Sequence, residues 1–299
     1  MAEDAGVRSH IVLTRSTDRD REPLTTAWIG GIFGGVKYLR PLARATRMPG
    51  ISYGLCPAFG TATGEARIDA FVDSCLAALR RVQPRGPYRI VGHSFGGTIA
   101  YGVGCRLRDQ GEQVKVVILD SSLYQLPPEE PASPMREQQE LRALDLLLYG
   151  TAVAYAKPMP RDIDWTQPAS RIRPQVHAAL GEIGLHLAPD RLDAVISTCT
   201  RNIGALAVHR PPDADFPVLF VQSDEFPDLP SGQWRFMRTA DRFAKWRTVK
   251  ISDLTIAEVS GDHLTMTAFP HVIDVGNVIR TFLAGDARRG RPPLQLSSR

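Results

Sequence analysis

The 299 residues are 43% hydrophobic, enough to bury a large core in one domain or in one domain with an inserted subdomain. Thirty-six basic residues stand against 32 acidic ones, for a net charge of +4, and they are spread along the chain rather than blocked into a run, which argues against nucleic acid as a partner. The opening Met-Ala-Glu-Asp-Ala-Gly is acidic where a signal peptide needs a basic start, and no apolar run approaches the roughly 18 residues of a membrane span, so neither secretion nor membrane insertion is expected.

In chain order, residues 1–23 read as a charged N-terminal extension with one possible strand at 10–14. A strand at 24–29 leads into the glycine-rich run Gly30-Gly31-Ile32-Phe33-Gly34-Gly35, followed by a helix at 36–47 and a strand at 51–55. The spacing of Ile68, Phe71, Val72, Cys75, Leu76 and Leu79 draws an apolar stripe on a helix over 67–83. Strands at 88–92 and 114–120, nearly wholly apolar, flank a helix at 95–110, the pattern of a parallel sheet covered on both faces.

The alternation breaks over 124–212, where only helical stretches separated by prolines are found, among them 141–156 and 191–208; the second carries the stripe Leu192, Val195, Ile196, Cys199, Ile203 and Leu206. A strand at 217–223, a helix at 233–245, a strand at 254–260 and a last helix after Pro270 complete the pattern, and residues 285–299, rich in Arg, Gly and Pro, are expected to be a disordered tail. The expected architecture is a doubly wound, mostly parallel α/β sheet over 24–123 and 213–284, with 124–212 inserted as a helical lid above the carboxyl ends of the strands, where such sheets bind ligands. Cys56, Cys75, Cys105 and Cys199 show no CxxC or Cys/His spacing, so they read as reduced core residues of a cytoplasmic protein with no metal site.

The strongest local signal is Gly92-His93-Ser94-Phe95-Gly96-Gly97, a GxSxG pattern between a buried strand and a helix. A serine nucleophile needs such a sharp turn to project its hydroxyl, and the following helix N-terminus supplies backbone donors for a developing oxyanion. Serine also needs a base. Of the seven histidines His263 is best placed, in Gly261-Asp262-His263-Leu264 between the last strand and the last helix; His93 lies inside the elbow, too close in sequence to reach over Ser94, and His177, His186 and His209 fall in the helical insertion. The amides of Phe95 and of Ile32 or Phe33 are the candidate oxyanion donors, since the glycines around the latter two let the backbone turn toward the site. Two carboxylates compete to orient His263: Asp120, after four apolar residues, and Asp224, beside Glu225 at the start of an acidic loop.

The run from Val82 to Gly97, with Leu119-Asp120-Ser121 and Gly261-Asp262-His263, resembles the thioesterase domains that end non-ribosomal peptide and polyketide synthases, members of the α/β-hydrolase superfamily. The resemblance covers roughly residues 24–123 and 250–284. It implies the α/β-hydrolase fold, selects Asp120 as triad acid, and implies an acyl-Ser94 intermediate received from the phosphopantetheine arm of an acyl or peptidyl carrier protein and resolved by water or by macrocyclisation, with no cofactor of the enzyme's own. Where that family often has Pro-Ala-Gly-Gly, this chain has Ile32-Phe33-Gly34-Gly35. No carrier motif with an acceptor serine is found, so the carrier is expected on a separate chain or elsewhere in a larger synthase. A discrete editing thioesterase or a general carboxylesterase is the alternative within the same fold, and an idle ligand receptor is the alternative outside enzymes. Leu141, Leu144, Leu148, Leu192, Val195 and Ile196 are expected either to line an apolar acyl channel or to hold the insertion together.

Overall fold

A computed structural model of the chain describes residues 10–15, 25–56, 67–123, 132–160, 162–225, 229, 231, 243 and 246–285. Among these, seven strands form one sheet: β1 (His10–Arg15), β2 (Thr25–Ile29), β3 (Ile51–Leu55), β4 (Tyr88–His93), β5 (Val114–Leu119), β6 (Ala214–Ser223) and β7 (Ile251–Val259), in the order β1-β3-β2-β4-β5-β6-β7. β1 runs antiparallel to β3 and every other pairing is parallel. Helices α1 (Arg40–Ala45), α2 (Ile68–Val82), α3 (Phe95–Asp109), α4 (Ala132–Ala154), α5 (Ala169–Ile183), α6 (Pro189–Val208) and α7 (Val272–Ala284) connect or cover these strands. This is the doubly wound, mostly parallel sheet of the α/β-hydrolase fold. The expected helix at 233–245 and the expected tail lie outside the described residues, apart from Phe243 and Gly285.

The strands are apolar on both faces because both faces are covered. Side chains alternate between two clusters: Ala27, Ile29, Ile90, Val116, Ile118, Val218 and Phe220 face α2 and α3, while Trp28, Val91, Val117, Leu119, Leu219 and Val221 face α1 and α7. The stripe on α2 buries Ile68, Phe71, Val72, Cys75 and Leu79 in the first cluster. On the other face Leu39 and Leu42 meet Val272, Val275 and Ile279. Leu141, Leu144, Leu148, Leu192 and Ile196 are buried in the first cluster too, where α4 packs against α5 and α6, and Val195 is half-buried.

Several elements depart from the pattern read in the sequence; β7 begins at Ile251 rather than at 254, and α4 at Ala132 rather than at 141. The helix expected over 36–47 begins as a 3-10 turn, Lys37–Leu39, and only then becomes α1, with Pro41 in its first turn where a missing N–H costs nothing. β6 starts at Ala214 rather than at 217, carrying Pro217 inside the strand at an irregularity in its pairing with β7. α5 had no clear signal because Pro174 interrupts it, yet Ile172, Val176, Ala179, Leu180 and Ile183 form a buried stripe strong enough to hold it.

Backbone comes close to backbone where α3 packs on the end of β2. A Cβ placed on Gly96 would lie 2.4 Å from the carbonyl oxygens of both Ile29 and Gly30, and one on Gly92 would lie 2.1 Å from the carbonyl oxygen of Gly96. Backbone cannot yield as a flexible side chain does, so Gly96→Ala is expected to lower stability by about 3 kcal/mol, the upper end of overpacking costs. The midpoint of urea unfolding, compared with the parent chain, measures it.

Candidate active site

Four loops at the carboxyl edge of the sheet build the site, one each after β2, β4, β5 and β7. Ser94 follows β4 with φ 56° and ψ −127°, a conformation an L-residue adopts only under constraint. The constraint is visible: the Ser94 amide donates to the carbonyl of Leu119 at the end of β5 (2.9 Å), and α3 starts at once, packed on β2 through Gly96. Asp120 follows β5 and also has a positive φ, 45°, with its amide held by the carbonyl of Val221 (2.8 Å). The strand expected to reach 120 therefore ends at Leu119, and the turn swings the carboxylate out of the sheet plane.

The structure brings together Ser94, His263 and Asp120. The Ser94 hydroxyl donates to Nε2 of His263 at 2.9 Å, and Nδ1–H of His263 donates to Oδ2 of Asp120 at 2.8 Å. A carboxylate only accepts, which fixes the proton on Nδ1 and leaves Nε2 as acceptor for the serine. Oδ1 of Asp120 accepts the amide of Ser223 (3.2 Å), and the residue is 1% exposed. Asp224, the competing carboxylate, is exposed, and its amide is spent on the carbonyl of Val259. Burial of Asp120, argued from the apolar run before it, is what separates the two.

The loop after β2 lies against the serine: a Cβ on Gly31 would come within 3.6 Å of Ser94 Cβ. Its carbonyls are held from within and without: Gly34 N–H donates to Gly31 O inside the loop (2.9 Å), and the side-chain amide of Asn202, on α6, donates to Ile32 O (2.7 Å). The Gly31 amide donates to the Tyr38 hydroxyl (2.8 Å) and so is not a free donor. Ile32 is buried, Phe33 is half-buried, and Phe95 is the first residue of α3, whose amide has no acceptor within the helix. These are the three candidate oxyanion donors.

Sequence reasoning missed several residues that hold these loops. Tyr149, on α4, donates to Oδ2 of Asp262, while Oδ1 of Asp262 accepts the amides of Leu264 (2.8 Å) and Thr265 (2.9 Å), shaping the loop that carries His263. Both ring nitrogens of His93 are engaged away from the Ser94 hydroxyl: Nδ1 meets the Tyr38 hydroxyl at 2.7 Å and Nε2 the carbonyl of His263 at 2.7 Å, with the two imidazoles 4.9 Å apart and tilted by 32°. A tyrosine eight residues beyond Gly30 gives no local signal of this contact.

Burial first, then the neighbouring His263, pushes the His93 imidazole down to about 3. Burial likewise raises the Tyr38 hydroxyl above its usual range. Both stay neutral.

Comparison with known proteins agrees with the geometry. Residues 26–154 match the family described as Thioesterase domain. The chain is 25% identical over 233 residues to atromentin synthetase nps3 of Serpula lacrymans var. lacrymans, covering 73% of this chain and 22% of that protein. It is 31% identical over 128 residues to polyketide synthase PksR of Bacillus subtilis, covering 42% of this chain and 5% of that one. It therefore spans less than a quarter of the length of either relative. Among solved structures, a four-domain nonribosomal peptide synthetase bound to AMP and glycine superposes with a TM-score of 0.69 at 21% identity, over 91% of this chain and 20% of that one. The Vlm2 thioesterase domain superposes at 0.62 and 18% identity, over 91% and 96%. At such identities the structural likeness is one of fold.

Two outcomes follow from the site. Asp120→Asn should lower kcat by about 10⁴-fold by disturbing the His263 tautomer, and Asp224→Asn should change it little; steady-state turnover of a thioester by the two variants decides between the carboxylates. The unfolded His93 imidazole protonates near 6.5 whereas the folded one does so only near 3, so its contribution to stability is full above about pH 6.5 and is lost as pH falls toward 3. His93→Gln should therefore flatten the acid limb of stability between those values, read from urea midpoints at a series of pH values.

Proposed function

We propose that this chain, whose thioesterase domain has the α/β-hydrolase fold, is a serine thioesterase that releases an acyl, polyketide or peptidyl chain from the phosphopantetheine thioester of a carrier protein, by hydrolysis or macrocyclisation. The single observation that carries the reading is the continuous chain from Ser94 Oγ through His263 to buried Asp120, at 2.9 and 2.8 Å. The match of residues 26–154 to thioesterase domains supports the substrate class.

In this reading His263 Nε2 takes the Ser94 proton as Oγ attacks the thioester carbonyl. The tetrahedral oxyanion is met by the amides of Phe95 and of Ile32 or Phe33, aided by the positive end of α3. The carbon–sulfur bond breaks, and the phosphopantetheine sulfur leaves as a thiol with the proton that His263 held. In the second half His263 deprotonates water or a nucleophile on the bound chain, which attacks the acyl-Ser94 ester and returns the serine proton through the same imidazole. Asp120 holds the ring orientation and stabilises the imidazolium throughout. All chemical groups required come from the chain, so the proposed enzyme needs no cofactor beyond the arm that carries its substrate.

Among the described residues no helix is long and apolar enough to cross a membrane. The four cysteines are free thiols, which fits a reducing compartment such as the cytoplasm.

A fluorophosphonate should add once, at Ser94, by intact mass and peptide mapping, and an adduct formed in full on Ser94→Ala would overturn the assignment. His263→Ala should keep the fold and lower turnover of an N-acetylcysteamine thioester by about 10⁴-fold or more. The same parent chain should cleave that thioester far faster than the matching oxygen ester; equal rates would favour a general carboxylesterase.

A further inference from the structure

The hydrogen bonds around His93 can have only one set of proton positions. The Gly31 amide can only donate, so the Tyr38 oxygen accepts it (2.8 Å), and the one proton Tyr38 carries is left for Nδ1 of His93 (2.7 Å). The His263 carbonyl can only accept, so Nε2 of His93 is the protonated nitrogen (2.7 Å). A neutral imidazole has one donor and one acceptor, and both are used. The result is an unbroken line, Gly31 N–H to Tyr38 O–H to His93 to the carbonyl of His263, in which every member is satisfied.

Its ends and its middle are what give it consequence. One end holds the residue directly before Ile32, whose amide is a candidate oxyanion donor. The other end holds the main chain of His263 itself. The middle, His93, is covalently joined to Ser94 and is 1% exposed. The oxyanion loop, the nucleophile and the histidine arrive from three different strand ends, and apart from the serine–histidine bond this line ties them together. Reacting groups displaced by about 1 Å lose on the order of 100-fold in rate, so a line that fixes their separation acts on chemistry more than on binding.

We propose that Tyr38 and His93 are positioning residues, a hydrogen-bond relay that sets the oxyanion loop and His263 at a fixed distance on either side of Ser94. Its neutrality serves the same end: an uncharged ring beside His263 places no second positive charge against the imidazolium that forms during turnover. This inference rests on the serine thioesterase reading of the site.

The test is steady-state kinetics of an N-acetylcysteamine thioester with the full chain. Tyr38→Phe removes one oxygen and leaves the Gly31 amide and His93 Nδ1 without partners. The expected result is a fall in kcat of about 10- to 100-fold with KM within about two-fold, and a melting temperature within about 4 °C of the parent. His93→Gln, which keeps a donor for the His263 carbonyl, should retain at least about ten times the kcat of His93→Leu, which keeps none. An unchanged kcat in Tyr38→Phe, a loss shared by kcat, KM and melting temperature alike, or His93→Gln no better than His93→Leu would overturn the relay. Should Tyr38→Phe fail to fold, the comparison of the two His93 variants decides alone. Ser94→Ala, run beside them, separates the two levels of inference: its retaining activity would sink the serine thioesterase reading, whereas an inactive Ser94→Ala with a fully active Tyr38→Phe sinks only the relay.

Discussion

Backbone meets backbone where α3 rests on the end of β2, and that contact sets the terms for everything above the sheet. Gly96 has its Cα where any side chain would collide with the carbonyls of Ile29 and Gly30, and Gly92 is in the same position relative to Gly96. With the helix drawn this close, the chain has no room for a gradual exit from β4. Ser94 must turn at φ 56°, a strain of about 1–3 kcal/mol that the surrounding packing sustains. The same turn presents the half-buried Ser94 hydroxyl to His263, so close packing and the placement of that hydroxyl have one cause. Asp120 repeats the device on the next strand, with its amide held by Val221 and its φ positive.

Helices α4 and α6, between β5 and β6, hold loops of the site. α4 reaches the His263 loop through Tyr149 and Asp262, and α6 reaches the loop after β2 through Asn202 and Ile32. Each is a hydrogen bond from a helix outside the sheet to a loop within it, and the Asn202 bond is fully buried, where leaving a partner unsatisfied costs about 1–3 kcal/mol. The loops after β2 and β7 are therefore held both by the line through His93 and by α4 and α6.

Electrostatics follow the same economy. Asp120, the buried carboxylate of the proposed triad, is met by the Ser223 amide as well as by the imidazole. His93 sits beside His263, and Tyr38 beside His93, and both remain neutral because burial disfavours their charged forms. In the proposed reaction a proton moving from Ser94 to His263 would put one new cation beside the Asp120 carboxylate, while the negative charge goes to the oxyanion.

Much of this was legible in the chain. The short, nearly wholly apolar runs at 88–92 and 114–120, the stripe on 67–83 and the glycines around Ser94 are local signals, and local signals suffice to fix strands, helices and the sharp turn between them. His263 could be singled out because its loop follows the last strand, and the apolar run before Asp120 argued for its burial. α5 was illegible because Pro174 masks its stripe, and the early start of β6 because Pro217 disguises it. What no local pattern could contain are the contacts between distant segments: Tyr38 with His93, His93 with His263, Asn202 with Ile32 and Tyr149 with Asp262, separated by 55, 170, 170 and 113 residues. Sequence determined which residues could do chemistry and on which kind of element each would stand. Tertiary structure decided which of them meet, because a hydrogen bond needs its atoms about 3 Å apart, and that distance is set by how strands order and helices pack rather than by spacing along the chain.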